Sequence, residues 1–127
     1  MWNMLWKTVI VFLTAMALCT LSMVSVHRVV DHSRHLRTEA IEAMDARDTQ
    51  RAEKTLVELA AYLQKNQGWL EMLCSHDDLH DAKLQIIDAQ ASIEFGIVDD
   101  FYQAIYRFGE TLEHLADVES VRFSNLY

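Results

Sequence analysis

Residues 49–73, TQRAEKTLVELAAYLQKNQGWLEML, decide the fold class of this chain. Apolar side chains recur along the stretch at spacings of three, four and seven residues, which is the period of one buried face on an α-helix. They are Ala52, Leu56, Leu59, Leu63, Leu70 and Leu73. The pattern predicts a helix over residues 49–73, whose first free amides Asp48 or Thr49 can cap. We expect a bend or break near Gln67 and Gly68, because glycine is a poor helix former.

Two further helices are predicted downstream. The first follows SHDD at residues 75–78 and ends near Phe95, with Gly96 in the left-handed closing position. Its large apolar residues are Leu79, Leu84, Ile86, Ile87 and Ile93. The second runs from Asp99 to about Asp117, and its apolar positions alternate by three and four, which suits packing between helices. Those positions are Phe101, Ile105, Phe108, Leu112 and Leu115.

The composition favours helices throughout. The chain has 127 residues with no proline and only three glycines, so the residues that mark strands and hairpins are nearly missing. We predict an all-α fold, in which an N-terminal transmembrane helix is followed by a small antiparallel bundle of three or four helices. The tail, residues 118–127, is expected to fold back onto the bundle, because bare apolar ends are poorly tolerated.

Residues 8–26, TVIVFLTAMALCTLSMVSV, form the membrane anchor of this prediction. The stretch holds 19 residues without a charge, close to the roughly 20 that a helix needs to cross a bilayer. Trp2 and Trp6 precede it, where indole rings favour the interface. Cleavage of a signal peptide after Ala17 would leave a strongly apolar new terminus, and Cys19 lacks the small preceding residue of a lipoprotein signal. We therefore expect a permanent anchor.

Charge divides the chain at the end of this anchor. Residues 1–37 hold four basic side chains and one acidic one, a net charge of +3, whereas residues 38–127 hold seven basic and 18 acidic ones, a net charge of −11. An acidic domain repels nucleic acid, so nucleic acid is not expected as a partner. The predicted organisation is an anchor at 1–30, a juxtamembrane helix at 31–47 that continues from the span, and an acidic helical bundle domain at 48–127. The stripe of the juxtamembrane helix is Leu36, Ile41 and Met44.

The side of the membrane is open to two interpretations. Arg28, Arg34 and Arg37 come after the span, and the positive-inside rule would keep the domain in the cytoplasm. A short N-terminus before a signal-like span usually leads instead to export of the downstream domain. The two cysteines, Cys19 and Cys74, are far apart in sequence and are interpreted as free thiols.

Two histidines four residues apart, His76 and His80, are the candidate metal ligands. On a helix their side chains lie one above the other, a spacing that can hold one ion, with Asp77 or Asp81 as an oxygen ligand. His114, with Glu110 one turn before it, can complete the site from a neighbouring helix.

A plainer interpretation of the same tract is the start of a helix. Ser75, Asp77 and Asp78 are residue types that accept hydrogen bonds from the first free amides and that interact favourably with the positive end of the helix dipole. A role of the histidines in sensing pH is the third interpretation.

The tract at residues 76–80, HDDLH, and the C-terminal residues Leu112, His114, Leu115, Glu119, Val121 and Phe123 with the final Asn-Leu-Tyr resemble a known family. It is a family of small membrane-anchored, all-helical bacterial proteins of unknown function, common in spore-forming Gram-positive bacteria. His80 stands where those proteins usually carry an acid. The resemblance implies a single-pass protein of the cell membrane with an extracytoplasmic domain, and it brings no activity or cofactor with it.

Sequence motifs give no indication of catalysis. The chain has no glycine-rich phosphate loop, no nucleophile elbow and no zincin-type histidine pair with its glutamate. We therefore expect a non-enzymatic interaction or assembly module without a cofactor, whose partner is another protein or a second copy of the chain. The alternative is a small metal-binding or pH-sensing module that uses His76, His80 and His114.

Overall fold

The computed structural model describes residues 2–73 and 76–125, and the side chains of residues 2–72 and 76–117. Five helices account for nearly all of these residues: α1 (Trp2–Asp45), α2 (Thr49–Lys65), α3 (Gln67–Leu73), α4 (His76–Phe95) and α5 (Val98–Asn125). No strand occurs within the two described ranges. The all-α class predicted from periodicity and composition is confirmed.

Helix α1 is one uninterrupted helix of 44 residues, about 66 Å long at 1.5 Å per residue. Its first twenty described residues are exposed, and burial begins at Val26, Val29 and Val30. The juxtamembrane segment continues from the apolar stretch without a break, as predicted. In that segment Leu36 and Met44 are buried and Ile41 is half-buried.

The turn from α1 to α2 is closed by two local motifs. Arg47 has a positive φ of 59°, and the amides of Arg47 and Asp48 donate to the carbonyls of Met44 and Ala43 at 2.9 and 2.8 Å. This pair of bonds is the Schellman ending of a helix, with Arg47 at the position that glycine usually takes. Asp48 then caps α2, because its Oδ1 accepts a hydrogen bond from the Arg51 amide at 3.1 Å. The predicted cap is thus confirmed for Asp48.

The predicted break in the second helix is also present, but it lies at Asn66 and not at Gln67 or Gly68. The side-chain Nδ2 of Asn66 donates to the Tyr62 carbonyl at 2.8 Å, and its Oδ1 accepts from Nε1 of Trp69 at 2.9 Å. An asparagine side chain that binds nearby groups competes with the helical hydrogen bonds of the backbone. The result is a separation of α2 from α3 one residue before the predicted position.

The turn from α4 to α5 repeats the Schellman pattern. Gly96 has φ +72°, and the amides of Gly96 and Ile97 donate to the carbonyls of Ile93 and Ser92 at 3.2 and 2.9 Å. The left-handed glycine predicted from the sequence is confirmed. Helix α5 extends to Asn125, so the prediction that it ends near residue 117 and that the tail folds back is wrong. Residues 118–125 contain neither proline nor glycine, and nothing local ends the helix.

The helices pack through two buried clusters. Helix α1 contacts α2 and α5, and α4 contacts α5 and α2, while α3 joins α2 to α4. The cluster nearer the apolar half of α1 comprises Val26, Val29, Val30, Leu36, Leu59, Leu63, Leu70, Leu79, Ala82, Ile86, Phe108, Leu112 and Ala116. The cluster nearer the α1–α2 and α4–α5 turns comprises Ala40, Ala43, Met44, Ala52, Leu56, Ala89, Phe101, Ala104 and Ile105. The last turns of α1's apolar half therefore belong to the core of the helical domain.

Helix α4 buries a narrower set of side chains than its apolar content suggests. Leu79 and Ile86 are buried, whereas Leu84 and Ile87 are exposed. The remaining buried positions of α4 are small residues, namely Ala82, Ala89 and Ser92. Small side chains allow two helices to approach closely, which fits the extensive packing of α4 against α5.

Candidate functional site

The histidine tract lies at the start of α4, and α5 reaches it from one side. His76, Asp77 and His80 are exposed there. His114 of α5 places Nδ1 at 3.1 Å from Oδ2 of Asp78, whose side chain is only 19% exposed. The expected approach of His114 to this tract is therefore present, but its contact is with Asp78.

Among residues 2–72 and 76–117, no group of three or more histidine, cysteine, aspartate or glutamate side chains is arranged to hold a metal ion. The predicted metal ligands His76, His80, Asp77 and His114 stay a prediction, since convergence can depend on an ion. Ser75 and Cys74, to which a cap and a free thiol were assigned, lie outside the described residues. Cys19 is an exposed free cysteine, as expected.

A row of polar contacts joins α1 to α5. Nη2 of Arg34 lies 2.6 Å from Oε1 of Glu113, and Nη1 of the same guanidinium lies 3.2 Å from Oδ1 of Asp31. At the far end of the row, the hydroxyl of Tyr102 donates to Oδ1 of Asp45 at 2.5 Å. Residue numbers rise along α1 as they fall along α5, so the two helices run in opposite directions.

Within this row, Arg37 contacts three residues of α5. Its Nε donates to the backbone carbonyl of Ile105 at 2.9 Å, and its guanidinium lies over the ring of Tyr106, 5.6 Å from the centroid. Gly109 leaves the space that the guanidinium fills, because a Cβ there would come within 2.6 Å of Nε. Arg37 is thus held by α5 itself, although it lines an open cleft of about 570 Å³ together with Arg34.

Two tyrosines, at opposite ends of the domain, have a pKa raised above the ordinary value of a phenol. The hydrogen bond to Asp45 raises the pKa of Tyr102, and burial and the Asp45 charge act in the same direction. Burial raises the pKa of Tyr62, against the opposing charge of Arg28. The ring of Tyr62 also packs on that of His32, with the centroids 4.3 Å apart. Both tyrosines serve as contacts between helices.

The seam between α2 and α4 holds a largely apolar opening. A groove of about 280 Å³ lies there, lined by Ala60, Leu63, Gln64, Gln67, Lys83, Ile86 and Ile87. Ile87 is 55% exposed at its edge, and Val57 of α2 is also 55% exposed. Exposed β-branched residues beside a groove are typical of a surface that another helix can cover.

The turn between α4 and α5 forms a second apolar surface, at the end of the domain farthest from the apolar half of α1. Phe95 is 75% exposed, and Ile97 and Val98 are about half exposed. Large apolar side chains in adjacent exposed positions are uncommon unless something covers them. We call these three residues the distal tip.

No protein-family model matches this chain, and no curated protein and no solved structure matches it either. The candidate surfaces are therefore identified only by the exposure and packing of the described residues.

Sequence patterns did not indicate the Arg37–Gly109 contact or the distal tip. Gly109 interrupts an otherwise regular helical pattern, and an isolated glycine of this kind is a signal of close approach by another group. For the tip, the adjacent residues Phe95, Ile97 and Val98 around Gly96 were the available signal, because a turn rarely carries three large apolar residues.

Proposed function

We propose that this chain is a single-pass membrane protein whose helical domain is a non-enzymatic interaction or assembly module at the membrane surface. The observation that carries the proposal is the division of α1. Its most apolar window has a mean hydropathy of 2.4 and is almost entirely unburied, whereas the same helix is buried in the domain core from Val26 onward. An apolar helix that its own chain leaves uncovered is suited to the hydrocarbon of a bilayer.

On this proposal residues 26–117 form an antiparallel four-helix bundle made of the second half of α1 with α2, α4 and α5. The contact of Arg34 with Glu113, and of Arg37 with Ile105, supports opposite directions for α1 and α5. The juxtamembrane helix is then a member of the bundle and leaves no flexible linker between membrane and domain. Such a domain is held close to the lipid surface and in a fixed orientation.

The extracytoplasmic side is the side we propose for the domain. The resemblance of the tract at residues 76–80 and of the C-terminal residues to a family of small membrane-anchored proteins with extracytoplasmic domains supports this side. The three arginines after the span act against this orientation. Two of them contact α5. Arg34 contacts Glu113, and Arg37 contacts Ile105.

The α2/α4 groove and the distal tip are the surfaces that we assign to a protein partner or to a second copy of the chain. Both surfaces expose apolar side chains on a domain whose net charge is strongly negative. Contiguous apolar patches that face water are typical of interaction sites. A polar catalytic cleft would instead need a nucleophile and a positioned base, and no motif of the sequence supplies that pair.

Site-specific photo-crosslinking in membranes tests this assignment. A benzophenone side chain replaces Ile87 in the groove or Phe95 at the tip, and the control position is Glu58, which is exposed on α2. We expect a discrete adduct from position 87 or 95 and none from position 58. An adduct of twice the chain mass identifies a second copy, and any other discrete mass identifies another protein. Equal, diffuse adducts from all three positions would contradict an interaction role.

The second candidate function is a metal-binding or pH-sensing module that uses His76, His80 and His114. The contact between His114 and Asp78 favours it, because this contact couples the histidine tract of α4 to α5. A change of charge or ligation at the tract would then alter the packing of two helices. Zinc titration separates metal binding from the leading function, because only a metal-binding module gains stability from the ion.

A further inference from the structure

The short helix α3 lies at the same level as the end of the membrane span. Helix α2 runs back along α1 from the turn at residues 46–48, and the stacking of Tyr62 on His32 fixes the register of the two helices. Continuing that register brings Gln67, the first residue of α3, opposite residue 27 of α1. Leu70 of α3 shares a buried cluster with Val26. Residue 27 is about 1.5 Å along the axis from the end of the charge-free stretch 8–26.

The outward face of α3 is apolar at this level. Met72 is 84% exposed, the highest exposure of any large apolar side chain among the described residues. Gly68 lies one turn before it on the same face and is also exposed, while Leu70 on the opposite face is buried. Trp69 flanks the exposed face, with its indole N–H satisfied by Asn66. Indole rings are favoured in the interfacial layer of a bilayer, and the apolar face of a helix that lies on a membrane is buried there.

Acidic and basic side chains are mixed around α3, which suits a zwitterionic surface. Glu71 is the only acid of α3, and its Oε1 accepts a hydrogen bond from Nε2 of Gln67 at 2.8 Å. Oε1 of the same Gln67 side chain accepts a hydrogen bond from Nζ of Lys83, so a positive charge lies close to the glutamate. Arg28 is exposed near Tyr62 and is available to lipid phosphates.

From these observations we propose that α3 is a second, shallow membrane contact, in which Met72 and Trp69 lie among the headgroups of a phosphatidylcholine-like bilayer. The inference rests on the proposed anchor, because only the anchor fixes the level of the bilayer along α1. The helical domain then touches the membrane at two points, the base of α1 and the exposed face of α3. Two points of contact restrict the tilt of the domain and direct the distal tip away from the lipid.

Tryptophan fluorescence provides the test, since the chain has only three tryptophans, at positions 2, 6 and 69. The full chain is reconstituted in vesicles of phosphatidylcholine that is either unlabelled or brominated near the headgroup end of the acyl chain. The variant with Trp2→Phe and Trp6→Phe retains Trp69 as the reporter of α3. We expect the fluorescence of Trp69 to be lower in the brominated vesicles. Adding Met72→Lys should reduce this quenching, whereas Phe95→Lys at the distal tip should leave it unchanged.

A companion variant separates failure of this proposal from failure of the anchor. Trp69→Phe retains Trp2 and Trp6, which report on the anchor alone. Quenching of Trp2 and Trp6 without quenching of Trp69 overturns the α3 contact and leaves the anchor in place. Absence of quenching in both variants overturns the anchor itself. Quenching of Trp69 that Met72→Lys leaves unchanged overturns the role of the exposed α3 face.

Discussion

The guanidinium of Arg37 lies directly against the backbone of Gly109, so that a methyl group on Gly109 would approach Nε of Arg37 to 2.6 Å. This contact joins the juxtamembrane part of α1 to the middle of α5, two segments that are far apart in the sequence. The glycine provides the space, and the carbonyl of Ile105 provides the hydrogen-bond acceptor for Nε.

A double-mutant cycle measures how far the two residues depend on each other. Gly109→Ala should stabilise an Arg37→Ala background by about 1 kcal/mol, since alanine is the better helix former. In the wild-type background the same change displaces the guanidinium from the Ile105 carbonyl, and this loss offsets the gain. We expect a coupling of about 1 kcal/mol or more in denaturant melts of the full chain in detergent. Additive effects within about 0.3 kcal/mol would show that the side chain moves aside without loss.

The two Schellman endings offer a matched pair of substitutions. Arg47→Gly should raise the free energy of unfolding by about 1 kcal/mol, because a side chain in the left-handed region is strained and glycine is not. Gly96→Ala should lower it by a similar amount. A Cβ at Gly96 meets no atom within 4 Å, so backbone strain is the only expected cause. Denaturant melts followed by circular dichroism measure both, and equal signs for the two variants would contradict the assignment.

The phenol of Tyr102 should make the domain sensitive to alkaline pH. Its pKa is raised in the folded state, first by the hydrogen bond to Asp45, so the neutral phenol stabilises the fold. That contribution is complete below the unfolded value of about 10 and is lost as pH rises through the raised folded pKa. Tyr102→Phe should therefore lose less stability than the wild type between neutral and strongly alkaline pH. Thermal melts across this range provide the measurement.

The wild type is the reference for that experiment. A Tyr102→Phe variant with the same alkaline slope as the wild type would mean that the bond to Asp45 does not favour the neutral phenol.

The contact between His114 and Asp78 should contribute modestly to the free energy of unfolding, and this contribution should not require a metal ion. A cycle of His114→Gln and Asp78→Asn should give a coupling of about 0.2–1 kcal/mol, the range for partly exposed pairs. The pair of His35 and Glu39, one turn apart within α1, is a matched control that joins no two helices. We expect the smaller coupling there.

Zinc titration of the same variants separates the two candidate functions. A metal that binds only the folded state must raise the melting temperature of the chain. On the leading proposal, zinc and chelator give the same melt for the wild type, while His114→Gln still lowers it. A zinc-dependent rise that His76→Ala abolishes would establish the metal-binding alternative at residues 76–80.

Periodicity predicted the buried faces of the helices because burial is a local property of spacing. All five apolar positions assigned to the last helix, from Phe101 to Leu115, are buried. The same reasoning found the turn glycine at position 96 and the cap at Asp48, since both depend on a few neighbouring residues.

Contacts between distant residues could not be predicted in this way. Spacing identifies a buried face but not the helix that covers it, so the approach of Arg37 to Ile105 was not indicated. The small buried residues of α4 were not predicted either. Alanine and serine occur on buried and exposed faces alike, so an apolar pattern does not identify them. The length of α5 was underestimated because apolar alternation after residue 117 resembles an extended tail, whereas the helix simply has no residue that ends it.

Our central proposal is that α1 crosses a membrane and carries the helical domain on the extracytoplasmic side. Cysteine labelling in intact cells tests it most directly, in a background of Cys19→Ser and Cys74→Ser. Single cysteines are introduced as Asn3→Cys before the span, Leu13→Cys within it and Glu58→Cys on the exposed face of α2. We predict that a membrane-impermeant maleimide labels only position 58 in intact cells, and that disruption of the membrane adds position 3. Labelling of positions 3 and 58 together in intact cells would contradict a membrane crossing, and labelling of position 3 alone would reverse the orientation.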